Sequence, residues 1–317
     1  MQTTKKKRGL IITAIVLAIV LIGGCIGLYF LAVSIYDGSF SYRCTTDEDI
    51  SFGISEFPTL TRQRHTFASN NGQKLVGYLY AQTDAELQEK AVIVFAHGLG
   101  AGGQTGYMDM FNYLTAQGYY VFAYDATAND ESEGDVIGGL PQGFIDLDHA
   151  IDYAYTIEEI RDLPFVLMGY SWGGLSVANV LNYHPEVKAV ASLAGWNESM
   201  NLIDYRGCQM VGGVAKLLLP FASVYEYTMY GEYSFSTAMK GFENSDCAVM
   251  IVHGEQDDTI PIEYGYDTYF EKYGTDARFT FKKYADRDHS LLDNADGTRD
   301  FALMEEVVAF FDKALGA

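Results

Sequence analysis

Ser171 sits in Gly169-Tyr170-Ser171-Trp172-Gly173-Gly174, directly after the apolar run Phe165 to Met168 and ahead of a helical stretch. A serine hydroxyl is a weak nucleophile at neutral pH. It attacks a carbonyl only when a base takes its proton, and that base needs a carboxylate to orient it. A G-x-S-x-G turn between strand and helix meets the first need of this chemistry. Small residues on both sides let the chain reverse so tightly that the hydroxyl projects above the sheet. The helix that follows also aims its free N–H groups at negative charge developing there. The pentapeptide alone arises often by chance; its place between strand and helix gives it weight.

Three histidines follow Ser171. His184 precedes Pro185 at the end of the elbow helix, and His253 closes a buried strand before Gly254. His289 lies late, in the loop Asp286-Arg287-Asp288-His289-Ser290 after the last strand-like run. Carboxylates gather in Val252-His253-Gly254-Glu255-Gln256-Asp257-Asp258-Thr259-Ile260-Pro261, which leaves a strand, turns at Gly254 and reaches a proline where a helix can start. A glycine run, His97-Gly98-Leu99-Gly100-Ala101-Gly102-Gly103, follows another buried strand and lacks the GK[ST] ending of a phosphate-binding loop. His97, His149 and His253 read as braces rather than reacting groups.

On these motifs the chain from about residue 62 to 314 resembles the α/β-hydrolase superfamily, in its esterase/lipase and serine-aminopeptidase-like branches. That fold orders its catalytic residues Ser, acid, His along the chain, which makes His289 the base. The resemblance maps the acid of an HGxxDxxxP-like turn onto Asp257, with Asp258 as the neighbouring alternative. It implies an oxyanion hole from two backbone amides, Trp172 after the nucleophile and Leu99 in the HG-type loop. Such donors lower an acyl-transfer barrier by a few kcal/mol. The acidic loop Asp125 to Gly134 departs from the D-x-x-G-x-G-x-S-like turn of such proteins. No metal or organic cofactor is implied.

The chemistry expected is two-step acyl transfer on an ester-type bond, with a thioester or amide also within reach of the same residues. A carboxylesterase- or lipase-like activity on a small-molecule or acyl-chain substrate is favoured. Serine peptidases, aminopeptidases and acyltransferases share the fold and the triad. A membrane-anchored binding module with an idle hydrolase fold is the non-enzyme reading. Retention of Ser171, Asp257, His289 and both oxyanion loops weighs against it.

These residues need a scaffold, and the chain alternates accordingly. His65 to Ser69 and Lys74 to Ala81 flank Asn70-Asn71-Gly72 and predict a hairpin. Ala91 to Ala96, Tyr119 to Tyr124, Phe165 to Met168, Ala189 to Leu193 and Ala248 to Val252 predict strands buried on both faces. Phe279 to Lys283 predicts a last strand nearer an edge. Helical patterns over 105–117, 140–156, 172–183, 261–272 and 299–314 separate them, so the fold expected is α/β: a mostly parallel central sheet flanked by helices. Residues 197–245 interrupt the alternation and read as a cap insert within a hydrolase domain spanning 63–317.

The N-terminus differs in kind. Residues 1–8 form a basic tail carrying Lys5, Lys6, Lys7 and Arg8, and 9–36 hold no charge. Leu10 to Ile35 would reach roughly 39 Å as a helix, enough to span a bilayer. The stretch is longer than the apolar core of a cleaved signal peptide. Ile22-Gly23-Gly24-Cys25 resembles a lipoprotein signal but stays apolar afterwards. The reading is a single-pass anchor at the cell membrane, its cationic end cytoplasmic and the catalytic domain outside. Residues 37–62 read as a polar juxtamembrane linker.

Composition bounds the rest. The 317 residues are 49% hydrophobic and carry a formal charge of −21, which suits a large core and excludes nucleic acid as a partner. Cys208 and Cys247 flank the insert and read as either a bridge or two free thiols.

Overall fold

The computed structural model describes residues 2–83, 89–100, 102–294 and 296–316, with the backbone alone for residues 2–6. Of the positions singled out above, Met1, Ala101 and the side chains of Lys5 and Lys6 lie outside the described residues.

Among the described residues, eight strands form one sheet: β1 (Leu60–Ala68), β2 (Lys74–Gln82), β3 (Ala91–Ala96), β4 (Tyr119–Asp125), β5 (Phe165–Tyr170), β6 (Ala189–Leu193), β7 (Ala248–Gly254) and β8 (Phe279–Tyr284). Their order is β1-β2-β4-β3-β5-β6-β7-β8. The β1–β2 hairpin and the β2–β4 pair are antiparallel, and the remaining pairs are parallel. Gly72 carries the hairpin turn with φ +79°, a conformation that disfavours a side chain.

The α-helices of the described residues are α1 (Gln2–Phe40), α2 (Met108–Ala116), α3 (Pro141–Ala154), α4 (Trp172–Asn179), α5 (Ser199–Val211), α6 (Leu219–Tyr230), α7 (Ala238–Asn244), α8 (Tyr266–Tyr273) and α9 (Phe301–Leu315). Side chains alternate across a strand, so each central strand feeds two cores. In β3, Val92 and Val94 join the layer of α3, α4 and α8, whereas Ile93 and Phe95 join that of α2 and α9. This is why the central runs are apolar almost throughout; the buried Ser192 of β6 donates to Gly174 O at 2.8 Å. Edge strand β8 is half exposed along its length.

Residues 37–62 differ from the polar tether expected of them. Helix α1 runs on to Phe40, and Tyr36, Phe40 and Cys44 bury one apolar stripe, at a spacing of four, in the first core. Beyond the helix, the Cys44 amide donates to Ala128 O at 2.9 Å and Asp130 N donates to Cys44 O at 3.1 Å. The segment is thus stitched to the loop after β4, because its backbone polar groups find partners there rather than in water.

The insert folds into α5, α6 and α7 with short 3-10 turns between them. Helix α7 belongs to the body: a Cβ at Gly241 would lie 2.5 Å from Ala178 O in α4. The cap proper is α5 and α6. Cys208 and Cys247 are free thiols, Cys247 buried.

Candidate active site

Ser171 ends the turn between β5 and α4 with φ 55° and ψ −115°, a strained conformation for a residue with a side chain. Glycines make the turn possible. A Cβ at Gly169 would lie 2.2 Å from Gly173 O, and one at Gly173 would lie 1.9 Å from Ala96 O. Ser171 stands at the N-cap of α4, yet its hydroxyl does not cap the helix. It meets His289 Nε2 at 2.9 Å instead.

His289 Nδ1 lies 2.8 Å from Asp257 Oδ2. The other carboxylate oxygen, Oδ1, accepts the amides of Thr259 at 3.0 Å and Ile260 at 2.8 Å. His253 Nε2 sits 3.3 Å from Oδ2 and 2.9 Å from Ile260 O, a brace beneath the acid. Burial pushes the Asp257 carboxyl up, but the hydrogen bonds from His253 and His289, the His289 charge and the Ile260 amide outweigh it. They hold the group well below the usual carboxylate range. Two loops must meet for this contact. Gly254 lets them, since a Cβ there would lie 2.3 Å from Arg287 O, and Gln256 N donates to Arg287 O at 3.0 Å.

The structure therefore brings Ser171, His289 and Asp257 into one continuous line of hydrogen bonds. Asp258 lies outside it on an exposed position. His184 is held elsewhere, by Asp148 at 2.8 Å and Glu186 at 2.9 Å. His97 braces the glycine loop: Ala126 N donates to its Nε2 at 3.0 Å, which leaves Nδ1–H to donate to Gly98 O at 2.8 Å. Leu99 follows directly. Among the described residues, neither the Leu99 nor the Trp172 amide has a hydrogen-bond acceptor. The Trp172 indole is buried and donates to Leu140 O at 2.8 Å.

Ser171 and His289 face a cavity of about 530 Å³, walled on the body side by Leu99, Leu140, Trp196 and Ile260. The cap supplies Ile203, Met210, Val211, Leu218 and Ala222, and α1 supplies Ala32, Ile35, Tyr36, Ser39 and Phe40. Besides His289, the one ionisable cation of the wall among the described residues is Arg206, which donates to Thr259 O at 3.3 Å. Sequence reasoning missed the share taken by α1. The available signal was Tyr36 and Phe40, four positions apart at the end of the helix.

A family model described as the alpha/beta hydrolase fold matches residues 91–213, from β3 through the Ser171 turn into the cap. The chain has that fold. An esterase of Pyrococcus furiosus is similar in structure at 14% identity, with a TM-score of 0.65 over 87% of this chain and 99% of that one. The acylaminoacyl peptidase of Pyrococcus horikoshii is similar at 17% identity and a TM-score of 0.62, over 81% of this chain and 42% of that one. Acetyl xylan esterase 1 of a Thermoanaerobacterium species is similar at 15% identity and a TM-score of 0.57, over 86% of this chain and 96% of that one. No curated protein matches the chain by sequence.

Proposed function

We propose that the chain is a membrane-anchored serine hydrolase that cleaves carboxylic ester bonds through an acyl-enzyme. The observation that carries the reading is His289, with Nε2 at 2.9 Å from Ser171 Oγ and Nδ1 at 2.8 Å from Asp257. Ser171 Oγ attacks the ester carbonyl carbon while His289 Nε2 takes its proton. The amides of Leu99 and Trp172 hold the tetrahedral oxyanion. Collapse expels the alcohol, which leaves with the proton from His289. A water molecule then attacks the acyl-enzyme by the same route and releases the acid and free Ser171. Asp257, kept ionised, fixes the imidazole tautomer and stabilises the imidazolium.

The apolar wall of the cavity favours an acyl chain over a peptide, whose backbone groups would find few partners there. Membrane anchoring rests on α1, in which Lys7–Phe40 is long and apolar enough to cross a bilayer. The cationic end stays in the cytoplasm and the hydrolase domain faces outward.

The test is labelling of the full-length chain by a fluorophosphonate, beside Ser171→Ala and His289→Ala. Label confined to the unmodified chain supports an activated Ser171. Absence of label on the folded chain would remove the enzyme reading.

A further inference from the structure

The helix that anchors the protein also forms part of its cavity wall. Exposure along α1 changes at Leu28: Lys7 through Gly27 are exposed, whereas Leu28, Ala32, Tyr36 and Phe40, spaced by four, turn one face inward. The charge-free part of that exposed stretch, Gly9 to Gly27, is about 28 Å long as a helix, close to the roughly 30 Å of a hydrocarbon core. The packed face therefore starts where the bilayer ends.

From that level α1 enters the cavity, where Ala32, Ile35, Tyr36 and Ser39 line the same space as Ser171 and His289. Helix α6 holds it there. Tyr36 donates to Glu226 at 2.6 Å, Tyr225 donates to Asp37 at 2.7 Å, and the Tyr29 and Tyr225 rings meet edge-on at 6.5 Å.

The other side of the mouth is the end of α5. Met210 and Val211 both line the cavity and stand 72% and 54% exposed, so they form its rim. Val214 and Leu217, just beyond, are each 63% exposed. Single exposed apolar side chains need no explanation. Four within eight positions, beside a helix of membrane-spanning length, form an apolar tip suited to hydrocarbon.

Resting on the serine-hydrolase reading, we propose that the cavity opens to the outer leaflet and that the substrate is a bilayer-resident acyl ester lipid. Its chain lies between α1 and the cap, along Ala32, Ile35 and Met210, and its ester group reaches Ser171. Val214 and Leu217 dip into the leaflet and keep the mouth at it. A chain taken up this way passes from hydrocarbon into an apolar groove without crossing water. A hydrolase of water-soluble esters has no need of a membrane helix in its pocket.

The experiment uses the full-length chain in phosphatidylcholine nanodiscs with a long-chain alkyl fluorophosphonate bearing a diazirine near its tail. Irradiation and peptide mapping are expected to give phosphonylated Ser171 with cross-links on residues 32–40 or 210–219. Phosphonylated Ser171 with cross-links elsewhere on the body overturns the inference and leaves the hydrolase reading standing. No phosphonylation overturns both. A Val214→Asp, Leu217→Asp variant is expected to lower turnover of a fluorogenic lipid ester in the nanodisc by roughly tenfold or more relative to its turnover of a soluble butyrate ester. An unchanged ratio also overturns the inference.

Discussion

Tyr36 of the long N-terminal helix donates a 2.6 Å hydrogen bond to Glu226 of the cap, a fully buried carboxylate 190 residues further along the chain. The same oxygen of Glu226 accepts from Ser199 at 2.7 Å, so one carboxylate ties α1 to both cap helices. Removing the Tyr36 hydroxyl takes a donor from a buried acceptor, which costs about 1–3 kcal/mol. Tyr36→Phe is expected to lower the thermal midpoint and to raise KM for long-chain esters while kcat changes little. Steady-state kinetics beside a melting curve check both, and an unaltered midpoint would show that the bond contributes nothing.

Stability should fall as the pH rises through neutrality. Burial pushes the Glu226 carboxyl up to about 7, against the opposing hydrogen bonds from Tyr36 and Ser199. A folded-state value above the unfolded one means that this contribution is complete below about pH 4.5 and lost as the pH climbs through about 7. The loss is at most about 3 kcal/mol, from 1.36 kcal/mol per unit. Glu226→Gln is expected to flatten the slope of denaturation midpoint against pH. A residual slope of the same sign should remain, since burial also raises Asp125 to about 7.

Asp257→Asn should leave the fold intact and lower kcat by on the order of 10⁴. The neutral amide no longer selects the His289 tautomer or balances the imidazolium. Turnover of a soluble ester, read beside circular dichroism, decides the matter. Retention of near-normal kcat would assign the orienting carboxylate to another residue.

Gly254→Ala tests how the acid loop and the histidine loop meet. The added Cβ would lie 2.3 Å from Arg287 O and 2.6 Å from Asp288 O, both backbone atoms beside His289. The loops must part, with an expected cost of about 1–3 kcal/mol in stability and a loss of fluorophosphonate labelling rate. Full labelling at a lowered melting temperature would mean that the histidine loop shifts without disturbing its contact to Ser171.

An apolar cavity should read acyl length. Each methylene buried is worth about 0.8 kcal/mol, so kcat/KM for p-nitrophenyl esters is expected to rise roughly fourfold per added carbon until the chain meets the end of the wall. A maximum at acetate would place the acyl group outside this cavity.

Most of the frame was legible because its signals are local. Strands buried on both faces must be apolar at almost every position, and five such runs stand out between helical stretches. The Ser171 turn announces itself through Gly169, Gly173 and Gly174, each needed where backbones approach too closely for a side chain. The loop positions of Asp257 and His289 follow from strand ends and from the chain order of the fold. The packing of Phe40 and Cys44 was not legible because they lie in a stretch whose polar neighbours hide a stripe only one residue wide.

By itself, then, the amino-acid sequence determined the strands, the Ser171 turn and a helix long enough to cross a bilayer, since each depends on residues close to one another along the chain. Only the tertiary structure decided that Tyr36 meets Glu226, that α1 walls the cavity and that His289 reaches Ser171 across 118 positions. Along 10–35 the helix is apolar on every side, so apart from Tyr36 and Phe40 little periodicity marks its packed face. Pairings over such separations arise only when the sheet has brought their elements together.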